Sequence, residues 1–240
     1  MSGHSKWSTI KRQKGAADAR RGAIFTKISN AITIAVKQGG GIGDPAQNSK
    51  LRLAIEMARD ANMPKENIER AIKRARERGE GELSELTYEG FAPGGISVLV
   101  EAITDNANRT TSEVKNLFNK WGGRLAEPRS VAYQFEQIGE ITVAKNEKSI
   151  DDIFLTAADL GALDVEDRVD AAAVFTDISS LSKIKDGLAT AGFRVLSSEI
   201  SLRPKTKIKT SQETKDKTIN FLSSLEDIDD VQKVYSNIAL

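Results

Sequence analysis

The spacing of apolar residues changes once along this chain, near Gly79, and the change restricts it to a helical module joined to α+β material. Before that point the apolar positions recur at intervals of three and four, the repeat of a helix with one buried face. Ile24, Phe25, Ile28, Ala31, Ile32 and Ala35 mark a first helix over 24–36. The run "GGGIGDP" ends it, and Asp44 with Pro45 is expected to cap and open a second, whose inner face is Leu51, Ala54, Ile55 and Ala58. After the break at "NMP", Ile68, Ala71, Ile72 and Ala75 turn inward on a third helix that Gly79 is placed to terminate.

Beyond Gly79 the pattern becomes β-branched runs alternating with amphipathic stretches. "LTYEGF" and "ISVLVEAIT" read as strands joined by the turn "APGG", then 109–121 as a helix and "SVAYQFE" as a strand. From Glu140 the order is "EITVAK" (strand), 149–160 (helix), "DVEDRV" and "AAAVFTD" (strands), 179–191 (helix) and "FRVLSSEI" (strand), which is the βαββαβ succession of a ferredoxin-like unit. A helix over 212–225 and the strand "DVQKVYSNI" then complete the earlier, interrupted sheet. The expected fold is an α+β multidomain protein: an all-helical domain at 1–79, an α+β domain at 80–137 plus 204–240, and a ferredoxin-like α+β domain inserted in it at 138–203.

Charge divides the same way. The net charge is only +1, yet residues 1–78 carry 17 Lys and Arg against 7 Asp and Glu, while the rest carries 18 against 27. A cationic module of this kind points to a polyanion partner, the alternative being a solvated helical surface whose charge serves only solubility. Between Ser2 and Gly22 six cations, Lys6, Lys11, Arg12, Lys14, Arg20 and Arg21, face a single acid, Asp18. On the third helix Arg70, Lys73 and Arg74 stand at i, i+3 and i+4, so their charged ends are expected on one face, where they repel unless acids or an external anion intervene. Glu66, Glu69 and Glu77 supply part of that compensation. Aromatic residues in this third are confined to Trp7 and Phe25, which favours contacts to the backbone or grooves of a structured nucleic acid over stacking along a single strand. Duplex DNA and folded RNA fit that charge pattern alike.

Enzyme chemistry finds little purchase. The chain has one histidine, His4, and no cysteine, so a histidine relay, a thiolate nucleophile and a multi-histidine metal centre lack their residues. A carboxylate site for magnesium at Asp105 is the rival of a different class, and turn formation and helix capping account better for "TDNANRT". Arg109 is the exception there, because a cation in a first helical turn opposes the helix dipole. No cofactor is expected; neither "GGGIGD" nor "APGG" is a strand-loop-helix phosphate cradle. The basic, polar opening and the lack of any apolar run of membrane-spanning length read as a cytoplasmic protein with no membrane partner. The cluster Glu226, Asp227, Asp229 and Asp230 reads as a solvated turn in preference to a dock for a basic partner.

"GHSKW", "DARRGAIFTKI", "LRLAIEMARDANMPKENIERAIKRA", "YEGFAPGG", "VEAITDNANRT" and "DDVQKVYSNI" together resemble the YebC family of bacterial proteins. The resemblance implies a helical N-terminal domain and two α+β domains, one inserted in the other. It also implies a non-enzymatic regulator that binds nucleic acid: members are described as DNA-binding transcriptional regulators, while others look like translation factors that bind ribosomal RNA and relieve stalling, and mitochondrial relatives activate translation of cytochrome oxidase. The basic positions carried over are Lys6, Lys11, Lys14, Arg20, Arg21 and Lys27, then Arg52, Lys65, Arg70 and Lys73; Arg109 joins them as a candidate contact. "LAEPRSVAY" departs from the family, with Glu-Pro-Arg where relatives tend to have a glycine-containing turn before "SV".

Overall fold

The structure, a computed structural model, describes residues 17–77, 83–145 and 149–239. Among these, two compact units emerge, one of residues 17–132 with 211–234 and the other of 133–210 with 235–239. In chain order come the helices α1 (Ala17–Gln38), α2 (Ser49–Asp60) and α3 (Lys65–Glu77), then β1 (Ser84–Ala92), β2 (Ile96–Thr104), α4 (Ala107–Lys120) and β3 (Arg124–Ala126). The inserted segment supplies β4 (Phe135–Ala144), α5 (Ile150–Asp159), β5 (Asp164–Asp167), β6 (Ala171–Thr176), α6 (Leu181–Thr190) and β7 (Val195–Pro204). α7 (Gln212–Glu226) and β8 (Val231–Ser236) close the chain.

The three helices share one core of Ile28, Ile32, Ala35, Val36, Leu51, Ala54, Ile55, Ala58, Ile68, Ala71 and Ala75, with Phe25 and Ile72 at its margin. Ile24 does not join it: the residue is 48% exposed, because the buried stripe of α1 passes through Phe25 and Ile28. Asp44 does not cap α2 either. Its carboxylate folds back on the Ala46 N–H at 2.9 Å, and the cap is Asn48, whose Oδ1 accepts from the Leu51 N–H at 3.0 Å. Asn48 Nδ2 donates in turn to the carbonyls of Ala35 and Ile42, so one buried amide ties α1 to the start of α2. A β-carbon at Gly39 would lie 2.1 Å from that Nδ2, which is why the loop has glycine there. At "NMP" the Met63 and Asn62 N–H groups return to the carbonyls of Ala58 and Arg59, with Asn62 at φ 57, the left-handed close that a helix end favours. The expected stop at Gly79 lies outside the described residues.

The first sheet has the order β3-β1-β2-β8 and the second β5-β6-β4-β7. β1 runs antiparallel to β2 and β3; β4 runs antiparallel to β6 and β7, and β5 to β6. Because β8 returns to the first sheet after β7, the βαββαβ unit is inserted within the sequence of the other. On the first sheet α4 and α7 meet through Phe118 and Phe221, ring centroids 4.9 Å apart and edge to face. Gly90 of β1 admits α4, since a β-carbon there would sit 2.4 Å from the Phe118 ring.

"SVAYQFE" is not a strand of that sheet. Ala132–Gln134 form one turn of 3₁₀ helix, and Phe135 opens β4, which continues without a break through the stretch read separately as "EITVAK". Glu89 is the reason. Its side chain leaves β1 on the face opposite Phe118 and accepts the backbone N–H groups of Arg129 at 2.6 Å, Val131 at 2.6 Å and Ala132 at 2.8 Å. These amides are spent on a carboxylate and none is left to a sheet ladder. The three-residue β3 takes the vacant edge. Within the clamped loop Arg129 has φ 72, a left-handed conformation that a side chain disfavours by roughly 1–2 kcal/mol. Arg129→Gly is therefore expected to raise stability by about 0.5–1 kcal/mol, the relief being partly offset by a freer unfolded chain, and urea unfolding read by circular dichroism measures it.

In the second unit α5 starts with a reciprocal cap: the Asp152 N–H donates to Ser149 Oγ, and the Ser149 N–H donates to Asp152 Oδ2. Ile141 and Val143 of β4 pack under α5 and α6 with Ile153, Ala157, Ile184 and Leu188. Alternation along β4 sends Glu140 to the other face, where Ile138, Ala173 and Phe175 cluster. There Glu140 Oε1 pairs with Arg168 Nη2 at 2.6 Å, both side chains less than one tenth exposed. The Arg203 guanidinium stacks 4.4 Å from the Phe175 ring centroid and pairs with Asp164.

Candidate nucleic-acid interface

The apolar core of the bundle occupies one side of each helix and leaves the cations outside. Arg21 on α1, Arg52 on α2, and Lys65, Arg70, Lys73 and Arg74 on α3 are all exposed. Arg20 falls in the first turn of α1. Lys6, Lys11 and Lys14 lie outside the described residues. Lys65 is opposed by Glu69 at 3.5 Å, a solvated pair worth less than about 1 kcal/mol. Lys27 is placed differently: half-buried, its Nζ donates to the Glu226 carbonyl at 2.7 Å. A cation on the last carbonyls of α7 meets the negative end of that helix, so Lys27 braces α1 against the sheet layer.

α3 does not present Arg70, Lys73 and Arg74 on one face. Consecutive residues are about 100° apart on a helix, enough for the ridge of α3 to divide them. Arg70 and Arg74 line a cleft of about 310 Å³ between α1 and α3, together with Phe25, Thr26, Ser29, Asn30 and Asn67. Lys73 lines a second depression, of about 630 Å³, on the opposite flank with Arg76, Glu69, Ile72 and Gly43. Among the described residues, the side chains of Arg70, Arg74, Ser29, Asn30 and Asn67 form no hydrogen bond or ion pair with the protein. Two cations at i, i+4 repel by a few tenths of a kcal/mol (~0.2–0.5), and nothing within the cleft offsets this.

Arg109 is held inside the first sheet's own framework. Its guanidinium donates to Asp230 at 2.7 Å and Asp105 at 2.9 Å, and these two carboxylates raise it further above its ordinary range. They answer the mismatch between a cation and the start of α4, whose cap is Asn106. Asp230 also accepts from Thr110 Oγ1 at 2.6 Å and Thr104 Oγ1 at 3.0 Å. Burial pushes the Asp230 carboxyl up, but the donors from Thr110, Arg109 and Thr104 prevail and hold it below the usual range. The acidic stretch at 226–230 is therefore not a solvated turn throughout: Asp227 and Asp229 are exposed, whereas Asp230 is the node that fastens α4 to the approach of β8.

Residues 5–78 match the model of the TACO1/YebC protein N-terminal domain, and 83–238 match that of the TACO1/YebC second and third domain. The chain belongs to the TACO1/YebC family. Relatives named probable transcriptional regulatory protein include one from Rubrobacter xylanophilus, 46% identical over 99% of this chain and 95% of its own, and one from Thermotoga maritima, 45% identical over 100% and 94%. These names describe regulatory proteins. The crystal structure of a conserved hypothetical protein, Aq1575, from Aquifex aeolicus superposes with a TM-score of 0.88, at 41% identity over 98% of this chain and 97% of that one. Among the described residues of this TACO1/YebC chain, no helix is long and apolar enough to cross a membrane.

The cleft of this TACO1/YebC bundle was only partly visible in its sequence. Arg70 and Arg74 carry the i, i+4 signal, but Ser29, Asn30 and Asn67 are ordinary helix-surface residues whose convergence depends on how α1 crosses α3. Phe25 reads as core from its spacing and serves both purposes, packing on the core at one edge and lining the cleft at the other.

Proposed function

We propose that this chain is a nucleic-acid-binding regulator whose helical domain grips the sugar-phosphate backbone. The observation that carries the reading is the excess of exposed cations on the bundle, two of them, Arg70 and Arg74, without any acid partner beside a cleft whose lining is part polar and part apolar. Arg21, Arg52, Lys65 and Lys73 extend that surface, with Lys6, Lys11, Lys14 and Arg20 adding to it from the amino-terminal segment. Lys27 and Arg109 act as braces, positioning the bundle and α4. The relatives' name favours DNA and transcription. A translation factor bound to structured ribosomal RNA uses the same surface, and cytoplasmic residence suits both. The three domains are then a helical one at 1–79, an α+β one at 80–137 with 204–240, and the insert at 138–203, the last two supplying shape and partner contacts.

Charge reversal tests the reading. Lys11→Glu, Lys14→Glu and Arg21→Glu combined are expected to lower affinity at least a hundredfold in gel shifts at about 100 mM salt and to flatten the log-log salt slope by about 0.7–0.9 per lost contact. Unchanged affinity in a folded triple variant would refute it. Running duplex DNA and folded ribosomal RNA fragments side by side assigns the ligand.

A further inference from the structure

We infer that the cleft between α1 and α3 receives a single nucleotide swung out of its helix, so that the ligand is a nucleic acid with an unpaired residue. The inference rests on the reading above and narrows its substrate. Three kinds of group converge on the cleft, and each suits a different part of a nucleotide. Arg70 and Arg74 bring two guanidiniums without acid partners, the geometry that phosphate oxygens engage in pairs. Phe25 offers a ring, partly buried against the core and lining the cleft with the remainder, on which a base can lie. Asn30, Asn67 and Ser29 present donors and acceptors with no partner among the described residues, as the polar edge of a base or sugar requires.

Size and position exclude a regular duplex from the interior. A volume of about 310 Å³ is at the lower end of small-ligand sites. It lies between α1 and α3 and is far smaller than a duplex, whereas bulged or loop nucleotides are splayed outward and are recognised by aromatic and amide groups in this way. A duplex touches only the rim, through phosphates. The depression on the other flank of α3 lacks such a combination, having Lys73 and Arg76 beside Glu69 and no aromatic ring.

The test compares two fluorescein-labelled RNA hairpins of one sequence, one fully paired and one with a single bulged adenosine, binding to the full chain at about 100 mM salt by anisotropy. A single base stacked on an aromatic residue contributes enough for a preference of about tenfold for the bulged hairpin. Phe25→Leu keeps an apolar group on the core, and Asn67→Ala trims a partly exposed side chain that lines the cleft. Each is expected to reduce the preference to about twofold or less while leaving affinity for the paired hairpin unchanged. Equal binding of both hairpins by the unaltered chain overturns the inference and leaves the broader reading standing. Binding of neither hairpin, with duplex DNA also unbound, overturns both. A preference that survives both substitutions shows that the unpaired nucleotide is held elsewhere, and the cleft assignment fails.

Discussion

Glu89→Ala is expected to destabilise the first unit by about 3 kcal/mol, since three N–H groups would lose a charged acceptor and the Val131 N–H would be left buried without one. The loss should be local at first. Amide exchange of Arg129, Val131 and Ala132 is expected to accelerate before that of β2, because the carboxylate is what keeps 129–132 off the sheet ladder and in its turn. Glu89→Gln is the informative control, since its amide still supplies one acceptor oxygen but brings an N–H₂ group toward backbone donors. It should cost about half as much. Burial acts to raise the Glu89 carboxyl, yet the N–H groups of Val131, Arg129 and Ala132 outweigh it and hold it below its ordinary value of 4.5. A depressed folded value gives stability that is fully present above the unfolded value and is lost as pH falls through the folded one. Urea unfolding between pH 7 and 3 should therefore show the unaltered protein losing stability below about pH 4.5, with part of that slope absent in Glu89→Gln. A pH profile identical in the two proteins would remove Glu89 from the account.

That clamp also marks the limit of what the sequence discloses. Leu51, Ala54, Ile55 and Ala58 are read correctly as the buried face of α2 because helical burial is written locally, in residues three and four apart. The βαββαβ order of the insert is visible for the same reason, with β-branched runs separating amphipathic ones. By contrast, nothing near Ser130 signals that its neighbours' amides answer to a glutamate on β1, so "SVAYQFE" has the composition of a strand and half of it is a turn. Ile24 fails similarly: it keeps the right spacing, and tertiary packing draws the stripe one residue further round. The interface divides along this line too. Which residues are cationic is plain from the sequence, but which of them bridge other elements depends on contacts far along the chain, as with Lys27 on Glu226 and Arg109 on Asp230. Arg70 and Arg74 are distinguished from Lys73 only by the helix that crosses beside them.

Glu140→Ala should produce a large loss in the second unit, about 3 kcal/mol, since the buried Arg168 guanidinium would lose the carboxylate that pairs with it at 2.6 Å. A pair with both side chains less than one tenth exposed is not held together by its Coulomb attraction alone, for desolvating two ions costs several kcal/mol each by general estimates. The asymmetry follows: removing one charge is severe, whereas replacing both Glu140 and Arg168 by Met should be near neutral, within about 1 kcal/mol, or stabilising. Urea unfolding of the two single variants and the double variant closes the cycle, and a double variant as unstable as Glu140→Ala would show that the charges, rather than the volume they fill, are what the sheet face requires. The same proteins separate fold from function. If the helical bundle carries nucleic-acid binding, a Glu140→Ala protein that is weakened in the second unit and still folded should bind a hairpin with the affinity of the unaltered chain, and a parallel loss of affinity would place part of the binding surface on the inserted sheet.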